Sequence, residues 1–394
     1  MPQVKAVTCS GRELARFDVD LTWRLTEVLD RIPVQHNISR RATTKTWPAG
    51  KQRRVIVNGV ELRGTKDLAA CNVRDGDHLT VVVAPPFDVI TCVRHMVEIK
   101  NMATGNTTRT FNGHTDEVCC AIFSPNAETV VTCSHDQTAK LWSVRTGECL
   151  RTFRGHRGCV RAVDISQNMQ ILLTAGSDDE CAKLWHVDTG VCYCTLAGHT
   201  NAVINAKFSP NACHVVTVSR DGTAKLWSTE AAGFEKLVFT RGGRYDGAAT
   251  SADFSPDGEE IIITTAEDAP RVYSTANGEF LRAFHVAAFR AMVLCASFSP
   301  DGSYVLTTSD GGKVSIWMAR PKPTDYQTHV GTFHVSHMPL NHAHWSPDGM
   351  NILTVSQEKL LSGPWIKVWS VVTGECLREF DGQAASFCPK HRRV

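Results

Sequence analysis

Three sets of His, Ser and Asp recur along the chain, each followed by a Trp: His114, Ser134, Asp136 and Trp142; His156, Ser177, Asp179 and Trp185; His199, Ser219, Asp221 and Trp227. In each set the Ser stands eight residues and the Asp six residues before the Trp. These are the residue types of a hydrolase relay, in which an imidazole takes a hydroxyl proton and a carboxylate orients the imidazole. Such a site is needed once, whereas this set occurs three times in register. Repetition points to structure: a buried imidazole satisfied by a carboxylate and a hydroxyl fixes turns and leaves no polar group unpaired. No catalytic residue, and no enzyme, is expected.

Other chemical signals are weaker. The chain carries no GxxxxGK[ST], HExxH, GxSxG or paired CxxC, the spacings that cradle phosphate, ligate zinc or present a nucleophile. His334, His337, His342 and His344 form the most metal-like cluster, but no Cys or carboxylate completes it. Cys192-Tyr193-Cys194 alternates along a strand and reads as packing. No metal and no other cofactor is expected. With 42 basic and 40 acidic residues, the chain has no global field to hold a polyanion, so nucleic acid is expected only indirectly. Fifteen Cys scattered through apolar strands suit buried thiols in a reducing compartment better than a disulfide framework. No run approaches the roughly 20 apolar residues that span a bilayer, and none follows Lys5 as in a secretory signal. The expected location is the cytoplasm, with the nucleus left open.

A longer repeat positions the three sets. Phe123-Ser124-Pro125, Phe208-Ser209-Pro210, Phe254-Ser255-Pro256, Phe298-Ser299-Pro300 and Trp345-Ser346-Pro347 share one grid with Ile165-Ser166 and Phe387-Cys388-Pro389, at intervals of 42 to 47 residues. A second anchor follows 19 or 20 residues later at Trp142, Trp185, Trp227, Tyr273 and Trp317; Trp369 follows 24 after Trp345, which implies about five inserted residues around 360–364. Each unit reads as short β-branched or apolar strands bounded by Pro, Asn, Gly and Asp turn signals. Four short strands per unit make one propeller blade. A lone blade cannot bury its faces, whereas a ring of blades buries both and removes most edges.

The count closes at seven. Seven first-strand anchors exist, but only six third-strand anchors, and only seven residues follow Phe387. Residues 88–93, 96–99 and 108–111 supply the missing strands. The expected fold is therefore mainly β: a seven-bladed propeller over 88–388, its last blade sharing one strand from the C-terminal end with three from 88–111.

These units resemble the WD40 repeat family. Gly113-His114, Gly155-His156 and Gly198-His199 precede their anchors by nine residues, counted from the His. The resemblance implies that each His, Ser, Asp and Trp set forms a hydrogen-bonded chain within its blade. The blades anchored at 254, 298 and 345 lack Gly-His and are expected to be less braced.

Residues 1–83 lie outside the repeat. Strands are expected at 4–7, 13–17, 55–57, 60–62 and 79–83, with a helix over 23–31 capped by Thr22 and ended by Pro33. This order resembles the ubiquitin-like β-grasp fold, a small α+β domain. Strand alternation puts Ile56 and Val82 on the outer face, where they match the patch by which ubiquitin binds partners; beside Arg54 they form a candidate docking surface. Val83 continues into Ala84-Pro85-Pro86-Phe87 with no Gly-Gly, so the domain reads as a built-in module. Residues 84–87 are a stiff linker, and 389–394 form a basic tail.

The expected function is a protein–protein interaction scaffold or adaptor in a multiprotein complex, without a small-molecule substrate or membrane insertion. Candidate contacts on one propeller face are His135, Asp178 and Arg220, just before the turn Asp, and Glu117 and Arg157 in the loops that enter the first strands. A ubiquitin-like domain ahead of a WD40 propeller also resembles the Notchless type of ribosome-assembly factor, with Glu61 as the candidate acidic residue. A ubiquitin-ligase substrate receptor is a further alternative; there Trp142-Ser143-Val144-Arg145 keeps the Arg but carries Ser for the acid. An enzyme with a site in the propeller channel is the rival from another class.

Overall fold

The computed structural model describes residues 88–389, apart from 103, 230–234, 240–248, 267, 285–291, 322–328, 357–364 and 372–373. Of 1–87 it describes the backbone of five strands, and of 235–239 the backbone alone.

Short strands dominate because each 42–47-residue unit offers four β-prone runs separated by turns it can close chemically. The Ser of each aromatic-Ser motif is one closing device. Ser124 Oγ accepts from Thr129 N at 3.1 Å and donates to Asn126 Oδ1 at 2.7 Å. Ser209, Ser299 and Ser346 bond their own turns in the same way. The turn needs a left-handed residue, held by Ala127, Met169 and Ala212 at φ near 60° and by Gly258, Gly302 and Gly349 at φ near 70°. Hydroxyl and carboxamide thus hold the backbone where sequence alone would not favour it.

Among the described residues, seven four-stranded antiparallel sheets follow one another. Six are consecutive in sequence. The seventh joins Ala384–Phe387 to Asp88–Val93, Met96–Asn101 and Thr107–Asn112. Ala384 pairs with Cys92 and Phe387 with Val89. The innermost strands touch in a closed cycle, from Val118–Phe123 through Val160–Ile165, Val203–Phe208, Ala249–Phe254, Val293–Phe298 and Leu340–Trp345 to Ala384–Phe387 and back to the first. The protein is a seven-bladed β-propeller.

The core lies between neighbouring sheets. Val131, Leu141 and Phe153 of one blade pack on Val160, Val163 and Leu172 of the next. Second strands are buried almost throughout, whereas fourth strands are largely exposed. Burying both faces of each sheet is what favours the ring over separate blades. Side-chain bonds also cross between blades: Asp164 Oδ2 accepts from Phe208 N at 2.8 Å, and Ser386 Oγ donates to Ala121 O at 3.0 Å across the chain-end closure.

The blades without Gly-His lack the His links of that chain, in line with the sequence expectation, and keep or replace the rest of it. Trp317 and Trp369 still donate to Thr307 and Thr354, each at 3.0 Å. In the blade anchored at Phe254, Ile263 and Tyr273 replace that pair, and Glu260 takes over at the opposite end. Its carboxylate receives both Nη atoms of Arg282, and Arg320 of the next blade reaches Glu260 at 3.1 Å and Asp257 at 2.6 Å.

The N-terminal strands Gln3–Val7, Glu13–Asp18, Gln52–Val57, Val60–Leu62 and His78–Ala84 form one mixed sheet in the order 2-1-5-3-4. The first and fifth run parallel. Arg54 stands opposite Val82 and Ile56 opposite Thr80, so positions 54, 56, 80 and 82 share one face by register. The helix expected over 23–31 lies outside the described residues, as does the insertion near 360–364.

Candidate functional site

In the first complete blade the recurring set is a hydrogen-bonded chain with one substitution of membership. His114 Nδ1 lies 2.7 Å from Asp136 Oδ2, and its Nε2 lies 2.6 Å from Thr132 Oγ1. The Trp142 indole donates to the same Thr132 Oγ1 at 2.9 Å. An indole only donates, which leaves the threonine proton available to a neutral imidazole. His Nδ1–H then donates to the carboxylate, and the ring is neutral. Burial favours that form and lowers the His114 pKa below its usual value. Burial would raise Asp136, but the Thr138 hydroxyl and His114 outweigh it and hold the carboxyl below its usual range.

The expected Ser134, Ser177 and Ser219 are not the links in these chains. The links are Thr132, Thr174 and Thr217, which lie on the second strand two residues beyond the one that pairs with the Trp. Ser134 and Ser219 work at the turn: each donates to a loop carbonyl, Asp116 O at 3.0 Å or Asn201 O at 2.9 Å, and receives the N–H of the turn Asp at 3.1 Å. Ser177 does neither, because the second blade has one extra residue between Thr174 and Asp179. Its backbone N bonds Cys159 O at 2.9 Å, the bond that His135 N makes to Glu117 O, and its hydroxyl goes to Asp178. Gly176 fills the slot of Ser134. A Cβ there would lie 2.0 Å from Asp179 Oδ1 and 2.4 Å from His156 Nδ1.

Each chain staples a loop to a turn. Asp136 Oδ2 also accepts from Thr115 N at 3.2 Å, and Asp221 Oδ2 from Thr200 N at 3.0 Å. The turn backbone completes the staple: His135 N to Glu117 O at 2.9 Å and Arg220 N to Ala202 O at 3.0 Å. The buried chain therefore sets where Glu117, His135 and Arg220 stand. In the second blade the Asp178 carboxylate lies against Gly158, beside Arg157. All five are exposed at the same end of three consecutive blades. The arrangement is a firmly held polar rim of mixed charge. The His side chains behind it are at most 2% exposed, so a substrate has no access to them.

Four segments, 105–143, 147–186, 190–228 and 280–318, match the family model described as WD domain, G-beta repeat. The chain carries WD40 repeats. Among curated proteins, human apoptotic protease-activating factor 1 is 27% identical over 177 residues, 41% of this chain and 12% of that protein. Nuclear distribution protein PAC1 of Komagataella phaffii is 25% identical over 226 residues, 56% of this chain and 43% of that protein. Mouse serine-threonine kinase receptor-associated protein is 23% identical over 291 residues, 73% of this chain and 77% of that protein. The chain thus spans less than half the length of the first two. WD40 propellers of this kind are generally interaction scaffolds and typically non-catalytic.

Around the WD40 rim, sequence reasoning missed two groups. The bridging threonines were visible at ten or eleven residues before each Trp. Cys119 and Cys159 had no motif to announce them; blade adjacency alone brings their Sγ atoms to 3.4 Å. The histidines of 334–344 split instead into two ring pairs, His334 with His337 and His342 with His344. The side chains of Arg54, Ile56 and Val82 lie outside the described residues. Among the described residues no helix is long and apolar enough to cross a membrane.

Proposed function

We propose that this protein is a non-catalytic scaffold that docks other proteins on the stapled face of its propeller. The observation that carries this reading is the rim itself. Glu117, His135, Arg157, Asp178 and Arg220 are exposed, yet stand on loops and turns tied together by bonds to buried groups. A rigid rim loses little entropy on binding, and alternating charge selects a polar peptide or protein of complementary pattern. The relatives fit this reading, one being named for its association with a kinase receptor.

The N-terminal sheet is read as a second docking module of ubiquitin-like type. Its 2-1-5-3-4 order and the shared face of positions 54, 56 and 82 support that. A role in ribosome assembly would use Glu61, which pairs opposite Ile56.

The test is quantitative co-purification with the full-length protein. The double reversal Glu117→Arg with Arg220→Glu is expected to release one partner set, and Ile56→Ala to release another. Retention of every partner by both variants would end this reading.

A further inference from the structure

Cys119, His135 and Cys159 present their ligand atoms within 4.8 Å of one another, at the rim but outside the hydrogen-bonded chains. Cys119 is the second residue of the innermost strand Val118–Phe123. Cys159 immediately precedes the innermost strand Val160–Ile165 of the next blade. These strands touch, which brings the two Sγ atoms to 3.4 Å. His135 reaches them from the turn after the second strand of the first blade, where its backbone bond to Glu117 fixes it. Both thiols are half-buried and the imidazole is exposed. The cluster is therefore partly accessible to solvent.

We propose that Cys119, His135 and Cys159 form a three-ligand site for a thiophilic divalent cation, zinc above all, clamping the first two complete blades together at the docking face. Tetrahedral zinc with Zn–S near 2.3 Å and Zn–N near 2.1 Å sets its donors about 3.5–3.8 Å apart. A 3.4 Å Sγ–Sγ separation and a 4.8 Å outer limit lie within about 1 Å of that triangle. Two sulfurs and one imidazole select zinc over hard cations such as magnesium or calcium. The carboxylates of Asp116 and Asp178 act on Cys159 and favour a cation; Arg161 acts on both thiols and opposes it. Each coordinating thiol gives its proton to solvent as the metal enters. The fourth position faces outward, open to water or to a donor from a docked protein.

The experiment uses the reduced, chelator-treated full-length protein, titrated with Co2+ under anaerobic conditions. The site predicts sulfur-to-cobalt charge-transfer absorption with tetrahedral ligand-field bands, saturating at about one ion per chain and displaced by Zn2+. Cys159→Ser is expected to abolish the charge-transfer band. His135→Ala alters an exposed turn residue, so the fold survives; it is expected to keep the band and weaken binding at least about tenfold. Cys149→Ser, on an exposed fourth strand, should change nothing. The proposal is overturned if no stoichiometric band appears, if the band survives Cys159→Ser, or if Cys149→Ser removes it. It is equally overturned if peptide mapping of the untreated protein recovers Cys119 and Cys159 as a disulfide.

Discussion

Thr132, outside the His-Ser-Asp pattern that first draws the eye, joins the imidazole of its blade to the indole. Its one hydroxyl accepts from Trp142 and donates to His114. Thr132→Val keeps the shape but orphans a buried indole N–H and a buried imidazole nitrogen. Each orphan costs about 1–3 kcal/mol, so the variant is expected to lose roughly 2–6 kcal/mol in chemical denaturation. Ser134→Ala, which leaves the chain intact, is expected to cost about 1 kcal/mol. Equal losses would return the Ser to the role the sequence suggested. A second residue-scale prediction concerns acid. Burial would raise Asp221, but the Thr223 hydroxyl and the N–H groups of Thr200 and Thr223 outweigh it and hold the carboxyl at about 2. Unfolded Asp titrates near 3.9. A depressed carboxyl adds stability that is complete above the unfolded value and lost as pH falls through the folded one. The stability gap between wild type and Asp221→Asn should therefore stay flat above about pH 5 and shrink between about pH 4 and 2. A gap that widens on acidification would contradict the hydrogen-bonding scheme.

At the scale of one element, the turn after the second strand decides which side chains meet. Counting back from the Trp aligned Ser177 with Ser134, but the extra residue of the second blade breaks that alignment at the turn. Sequence spacing cannot show on which side of a tight turn an insertion falls; only the bond from Ser177 N to Cys159 O does so. Gly176→Ser is thus expected to destabilise by about 2 kcal/mol or more through overpacking, because its Cβ would meet Asp179 and His156 within 2.4 Å. A thermal scan showing no loss would mean that the turn has room the geometry denies. By contrast, the strands and Ser-Pro turns were legible residue by residue. Their signal is local: short β-branched or apolar runs and a hydroxyl that closes its own turn within five residues. Cys119 and Cys159 were illegible for the opposite reason. Forty residues separate them in sequence, and only the radial stacking of blades makes them neighbours.

On the scale of the whole molecule, the stacking of consecutive blades makes three neighbouring turns into one surface. The ring was legible because anchors could be counted: seven first strands, six third strands and a matching remainder at 88–111. The grid does not say which side chains cross between blades, because those bonds depend on the packing of one sheet on the next. Asp164 to Phe208 N and Ser386 to Ala121 O are of that kind. The rim residues share that dependence on stacking: Glu117, Asp178 and Arg220 belong to three consecutive blades whose sheets pack directly on one another.

Amide hydrogen exchange on the full-length protein tests the closure of the ring most directly. Gln383 N and Cys388 N bond Cys92 O and Asp88 O at either end of the Ala384–Phe387 strand. Peptides covering 383–388 and 88–93 should exchange together, as slowly as the inner strand 118–123. Exchange of 383–388 within seconds, while 118–123 stays protected, would show an open ring and contradict the account.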